Sequence, residues 1–222
     1  MKKYLALSIF SVLVYTICMG QKNSMEFGIQ GGVNFNSAYG NAVGNEYKST
    51  LTGFNTGVHI KYKLSEQVAV KALLQFEQNG WAYRSLTFET NQGNNVLGKG
   101  DALHRLYYLN LPVLAAYSFG NTTKFNIAAG LFTGAMLTNQ VVVRIKEPYA
   151  PNNTPTTKSK SDAFKSFNFG LCFGAGVQVP LSAKMNFITD LRYNHGLANI
   201  SKGQSSIKTT AFSIQAGLSF PM

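Results

Sequence analysis

Apolar and polar residues alternate one by one in eight separate runs of this chain, and after residue 20 no apolar stripe holds a helical spacing for three turns. Successive strand residues point to opposite faces, so each run describes a strand with one greasy side and one polar side. The clearest is 167–179, where Phe167, Phe169, Leu171, Phe173, Ala175, Val177 and Val179 interleave with Asn168, Gly170, Cys172, Gly174, Gly176 and Gln178. The others are 25–35, 54–62, 68–76, 109–117, 125–131, 187–193 and 212–220. Their connections alternate in length. Segments 64–67, 119–123 and 180–184 are tight and rich in Gly, Asn, Ser or Pro, whereas 37–52, 79–103, 138–165 and 195–208 are long and polar. The third long segment carries Pro148, Pro151 and Pro155 and reads as a mobile loop.

Short turns at one end, long loops at the other and an even strand number predict an all-β fold, an eight-stranded antiparallel up-and-down transmembrane β-barrel. Alternation alone does not say which face is inside, because a soluble lipocalin-like barrel turns its apolar face inward. Three features favour the apolar face pointing out. The polar face is mostly Gly, Asn, Gln and Ser, where a water-facing surface would carry Lys and Glu. Glycine suits the narrow interior of so small a barrel. Many apolar runs also begin or end on an aromatic, such as Phe27, Phe54, Tyr62, Phe125, Tyr193 and Phe220, like the girdles at the two membrane interfaces. Charged residues are only 13% of the chain, about half the usual share of a soluble domain.

Residues 1–20 read as a cleaved secretory leader: Lys2 and Lys3, then an almost wholly apolar stretch to Cys18, then Met19 and Gly20 before polar Gln21. That stretch is short for a retained span. The barrel domain is then 21–222, with Cys172 as its one cysteine and no internal disulfide. Loss of Lys2 and Lys3 leaves 18 basic against 9 acidic side chains, a net +9. Such a balance favours anionic partners, and for an exported protein these are lipid phosphates rather than nucleic acid.

With the strands placed, three stretches stand out: Phe27-Gly28-Ile29-Gln30-Gly31-Gly32-Val33-Asn34, Tyr108-Leu109-Asn110-Leu111-Pro112-Val113-Leu114, and 190–200 from Asp190-Leu191-Arg192-Tyr193-Asn194 to Ile200. Through them the chain resembles the outer-membrane β-barrel domain family, the porin family or PorT-like group. The resemblance covers essentially all of 21–222 and marks a fold more than an activity. It implies a Gram-negative outer membrane, eight strands and no catalytic residues. The ending departs from the family's habit of closing on an aromatic, since Pro221 and Met222 follow Phe220.

Glu26, Lys61, Lys71, Glu77, Asp190 and Arg192 fall on the polar face, where a narrow lumen forces them to pair. They are expected to form an internal charge network that plugs the barrel, the alternative being a narrow porin-like channel lined by charge. Arg84, Arg105, Arg144, Lys146 and Lys165, in or beside the long segments, are candidate contacts for lipopolysaccharide phosphates. The three histidines are His59 within a strand, and His104 and His195 near the rim. Asp101, Asp190 or Ser201 would partner them only by coincidence of folding, and no nucleophile elbow or metal-spaced cluster is present. Cys172, between Gly170 and Gly174, reads as a small interior filler. The expected function is non-catalytic, without cofactor or metal, in envelope integrity or surface interaction. A PorT-like accessory role in protein secretion, with other envelope or secretion proteins as partners, is the alternative.

Overall fold

The computed structural model describes residues 25–41, 43–44, 46–89, 96–148 and 156–222, so the expected leader lies outside the described residues. Among the described residues ten strands form: β1 (Met25–Tyr39), β2 (Lys48–Ser49), β3 (Leu51–Lys63), β4 (Val68–Glu89), β5 (Val96–Phe119), β6 (Lys124–Pro148), β7 (Thr156–Ser159), β8 (Phe167–Ser182), β9 (Met185–Gly196) and β10 (Lys208–Pro221). Eight of them close a ring in the order β1-β3-β4-β5-β6-β8-β9-β10 and back to β1, every pair antiparallel. The short β2 and β7 lie outside the ring, against β4 and β6. Closure pairs the backbone of every ring strand on both sides and leaves no edge in the wall.

The apolar runs point outward. Ile29, Phe54, Leu111, Ile127, Leu131, Phe173 and Ile214 are all exposed, Leu131 at 60%. Asn34, Asn55, Gln75, Asn110, Asn168 and Gln215, on the other face, are buried. A water-soluble barrel would show the reverse, so the wall is built for lipid. The interior is tight enough that a Cβ on Gly28 would collide with the His59 ring, and one on Gly134 with Asn110. Pro112 sits inside β5, and the β4–β5 ladder lapses between the Ala72↔Val113 and Gln75↔Asn110 pairs, as a residue without an amide proton requires.

Met25, Met222 and the three short connections gather at one end, here called the turn end, where Met222 N donates to Met25 O at 2.8 Å. At the loop end, two of the four expected long loops are corrected. Segments 79–89 and 96–103 continue β4 and β5, and 138–148 continues β6, with bulges at Tyr83/Leu86, Lys99/Gly100 and Tyr107/Tyr108. Gly80, at φ 136°, lets β4 pass close to the His104 carbonyl at the base of this extension. Outside lipid a strand needs no apolar face, so these segments keep β-formers such as Val141, Val142, Val143 and Ile145 without alternation. Of the three prolines read as marking a mobile loop, Pro148 ends β6, while Pro151 and Pro155 lie outside the described residues.

Candidate functional site

β4 and β9 stand four places apart in the eight-strand ring, directly across the lumen from each other. Alternate residues of each point inward, which sets Lys71, Gln75 and Glu77 facing Asp190 and Arg192. Arg192 forms an ion pair with Glu77 and also donates to the side-chain oxygen of Gln75. Lys71 Nζ reaches Asp190 Oδ2 at 2.5 Å. Glu77 is 0% exposed and Arg192 3%. Such burial is tolerable only because each charge meets its counter-charge and further donors. Asn110 Nδ2 donates to Glu77 Oε2 at 2.5 Å, Gln75 donates to Gln215 Oε1 at 3.4 Å, and Gln30 donates to that same oxygen. The result is a polar layer running from β5 across β4 and β9 to β10 and β1.

The turn end is arranged differently. Glu26 Oε1 pairs with Lys63 Nζ at 2.6 Å, while Gln178 and Ser219 donate to its other oxygen. Lys61, its cross-strand neighbour, is held by the side-chain oxygens of Asn126 and Gln178, each at 3.4 Å. Of the six residues read as a lumen network, four therefore form two cross-lumen pairs. Glu26 pairs instead with Lys63, one alternation step past the run read at 54–62. A cavity of about 50 Å³ lies here, lined by Glu26, His59, Lys61, Lys71, Asp190 and Arg192 among others. The remaining lumen is not wholly polar. Leu73, Leu114, Phe132 and Cys172 pack into an apolar cluster, in which Cys172 is fully buried.

The mouth at the loop end is filled by a second apolar group that sequence reading missed. Trp81 and His104 stack with centroids 4.6 Å apart and planes 11° from parallel, and Phe164 meets Trp81 edge-on at 5.9 Å. Ala38, Val43, Leu106, Tyr108 and Ile200 complete the cluster. The connecting segments that bring Val43, Phe164 and Ile200 there are tied by hydrogen bonds of their backbone amides. Lys165 N donates to Ile200 O at 2.7 Å, Lys202 N to Ala163 O at 2.8 Å, Met136 N to Ser166 O at 2.6 Å, and Ser206 N to Asn41 Oδ1 at 2.5 Å. Burial holds the His104 imidazole, which lies beyond the apolar belt, below its usual pKa.

The other histidines are apart from it. His59 sits in the lumen against Gly28, and His195 lies on the outer face between Tyr39 and Tyr193. Asp101 Oδ1 takes the Ser85 amide across the β4–β5 extension and Ser201 Oγ takes the Gly203 amide, so the structure uses both in bonds to backbone. Among the described residues no three His, Cys, Asp or Glu side chains gather as metal ligands. The five basic candidates do not form one group. Arg84, Arg105, Arg144 and the backbone of Lys146 lie on the β4–β5–β6 extension, with Arg144 opposite Asp101, whereas Lys165 lies between β7 and β8.

No curated protein matches the chain. Among solved structures it is similar to a major outer membrane protein from Thermus thermophilus, at 12% identity and TM-score 0.48, covering 89% of this chain and 99% of that one. It is also similar to Neisserial surface protein A, at 14% and 0.46, covering 87% and 96%, and to the outer membrane protease OmpT of Escherichia coli, at 10% and 0.40, covering 92% and 99%. The sequence profile described as outer membrane protein beta-barrel domain matches residues 19–202. With that match over most of its length, and with a closed wall that turns its apolar side outward, the chain belongs to the outer-membrane β-barrel domain family.

Proposed function

We propose that this outer-membrane barrel is non-catalytic and non-conducting, its lumen plugged by its own side chains, and that it acts in envelope integrity or surface interaction through its loop end. The observation that carries this reading is the pair of ion bridges, Arg192–Glu77 and Lys71–Asp190, strung between opposite strands. A conducting path would have to part buried ions, at a cost of several kcal/mol. The lumen cavity beside them, about 50 Å³, has room for a few waters rather than a solute. Purified protein in planar bilayers is expected to give a flat current trace, and reproducible unitary steps would overturn the plug.

The family layout puts short turns in the periplasm and the loop end outside. The strand geometry then divides the basic candidates by height. Arg105 is two residues beyond Tyr107, roughly 7 Å along the strand, at the depth of lipid headgroups. Arg84 is eight residues beyond Phe76, roughly 26 Å along the strand, and Arg144 is similarly far beyond Leu137. This spacing supports Arg105 and Lys165, two residues before Phe167, as contacts for lipopolysaccharide phosphates. Arg84 and Arg144 face what lies above the membrane.

A further inference from the structure

A cluster outside the lumen and the mouth occupies the outer face of β1, β9 and β10. The apolar belt ends there at Phe35, Tyr193 and Phe212, each about two-fifths exposed. The next outward position on β9 is His195, and one alternation step further, past Ser37 and Thr210, stand Tyr39 on β1 and Lys208 on β10, with Tyr39 opposite Lys208, Thr210 opposite His195 and Phe212 opposite Tyr193. The Tyr39 hydroxyl donates to Gly196 O at 2.6 Å and lies 3.1 Å from His195 Nε2, with the two rings stacked at 5.2 Å. Because the hydroxyl proton is committed to Gly196, its oxygen accepts, and Nε2 must carry the imidazole proton. His195 Nδ1 then faces the Tyr193 hydroxyl at 3.4 Å. Lys208 Nζ stands 5.9 Å above the Tyr39 ring centroid, and among the described residues no carboxylate pairs with it.

We infer that this patch binds the phosphorylated headgroup of an outer-leaflet glycolipid. The inference deepens the surface-contact part of the proposed function and rests on it. The patch lies about 7 Å (His195) to about 13 Å (Tyr39 and Lys208) along the tilted strands from the last belt residues, in the layer where hydrocarbon gives way to headgroups. An aromatic shelf there carries an ammonium with open donor positions beside the Tyr193 hydroxyl, whose 3.4 Å contact with His195 Nδ1 is long enough to give up. A phosphomonoester accepts from the ammonium and from that hydroxyl once it turns outward, and such charge-assisted bonds are the strong ones. The ring beneath Lys208 favours its cation and limits its wandering.

Detergent-solubilised full-length protein is titrated with bisphosphorylated lipopolysaccharide, with the enzymatically dephosphorylated form and with inorganic phosphate, and retention is read by native mass spectrometry. The wild type is expected to hold the phosphorylated glycolipid at least about tenfold more tightly than the dephosphorylated one, the scale of one lost charge-assisted bond. His195→Ala with Lys208→Met should lose that preference, whereas Arg84→Ala with Arg144→Ala should keep it. Binding of inorganic phosphate with equal preference would show a free-anion site and overturn the lipid assignment. Full retention by the patch variant would overturn the site, and loss only on Arg105→Ala with Lys165→Ala would move it to the far rim. Heat-modifiable gel migration checks folding. If the double variant fails that check, Tyr193→Phe and Lys208→Gln singly must each weaken binding for the site to stand. A conducting barrel would sink the plug and leave this preference untouched.

Discussion

The middle of the lumen and its mouth are both filled, but by opposite chemistry. Within the apolar belt, closure rests on side chains alone. Arg192, Glu77, Lys71 and Asp190 bridge β9 to β4 inside a wall that is hydrogen-bonded all round. At the mouth, Trp81, His104, Phe164 and Ile200 pack as an apolar lid on segments held by a handful of backbone bonds. The first arrangement has no low-cost alternative, since every partial opening leaves a buried charge unpaired. The second can open locally, exposing apolar surface without disturbing the barrel. Stability and surface responsiveness are therefore assigned to different depths of one cylinder.

The sharpest way to break this contrast is Arg192→Ala. It strands Glu77 in the interior and is expected to cost about 3–5 kcal/mol in urea unfolding from micelles. Adding Glu77→Gln should recover a large part of that loss. A single-variant midpoint close to wild type would show that the ions are not held as described. Phe164→Ala should cost about 3 kcal/mol, the scale of a buried aromatic truncation, but locally. Limited proteolysis is expected to accelerate in 160–166 and 197–207 while barrel unfolding hardly moves. Equal loss in both assays would make lid and barrel one cooperative unit.

Acidification is the next lever. His104 is held below its usual value, so its neutral form supports the lid above pH ~6.5, and that support is lost as the pH falls through the depressed folded value. Trp81 is the one tryptophan of the chain and stacks on this ring, so its emission should drop on acidification. His104→Phe should abolish the drop. The smallest effect is expected from Lys63→Ala. Lys63 is 28% exposed and Glu26 keeps Gln178 and Ser219, so the loss should stay under about 1 kcal/mol.

The same contrast explains what could be read from the sequence. Lipid imposes a one-in-two rhythm, so 167–179 and 212–220 were legible as strands, outward face included. Where the wall rises out of lipid the rhythm stops, and 79–89 and 138–148 read as loops although they are strands. Inward charges such as Glu77 and Arg192 were visible by parity, but their pairing across the ring depends on closure, which one strand's pattern does not contain. Lys63 was lost only because the run was ended at Tyr62. Leu73, Leu114 and Phe132 went unread because an apolar residue on the polar face looks like noise until its neighbours are known. The mouth cluster left no periodic trace, since its members come from three connecting segments and three strands.

The projecting sheet formed by the outer parts of β4, β5 and β6 has two flanks, and each carries a short guard. β2 covers β4 at Ala82 and Tyr83, and β7 covers β6 from Val141 to Arg144 with exposed Lys158 on its own back. A bare flank of that kind would offer unsatisfied amides and carbonyls to any neighbour in a crowded membrane. With these two strips in place the blade can stand clear of the bilayer without zipping onto its copies.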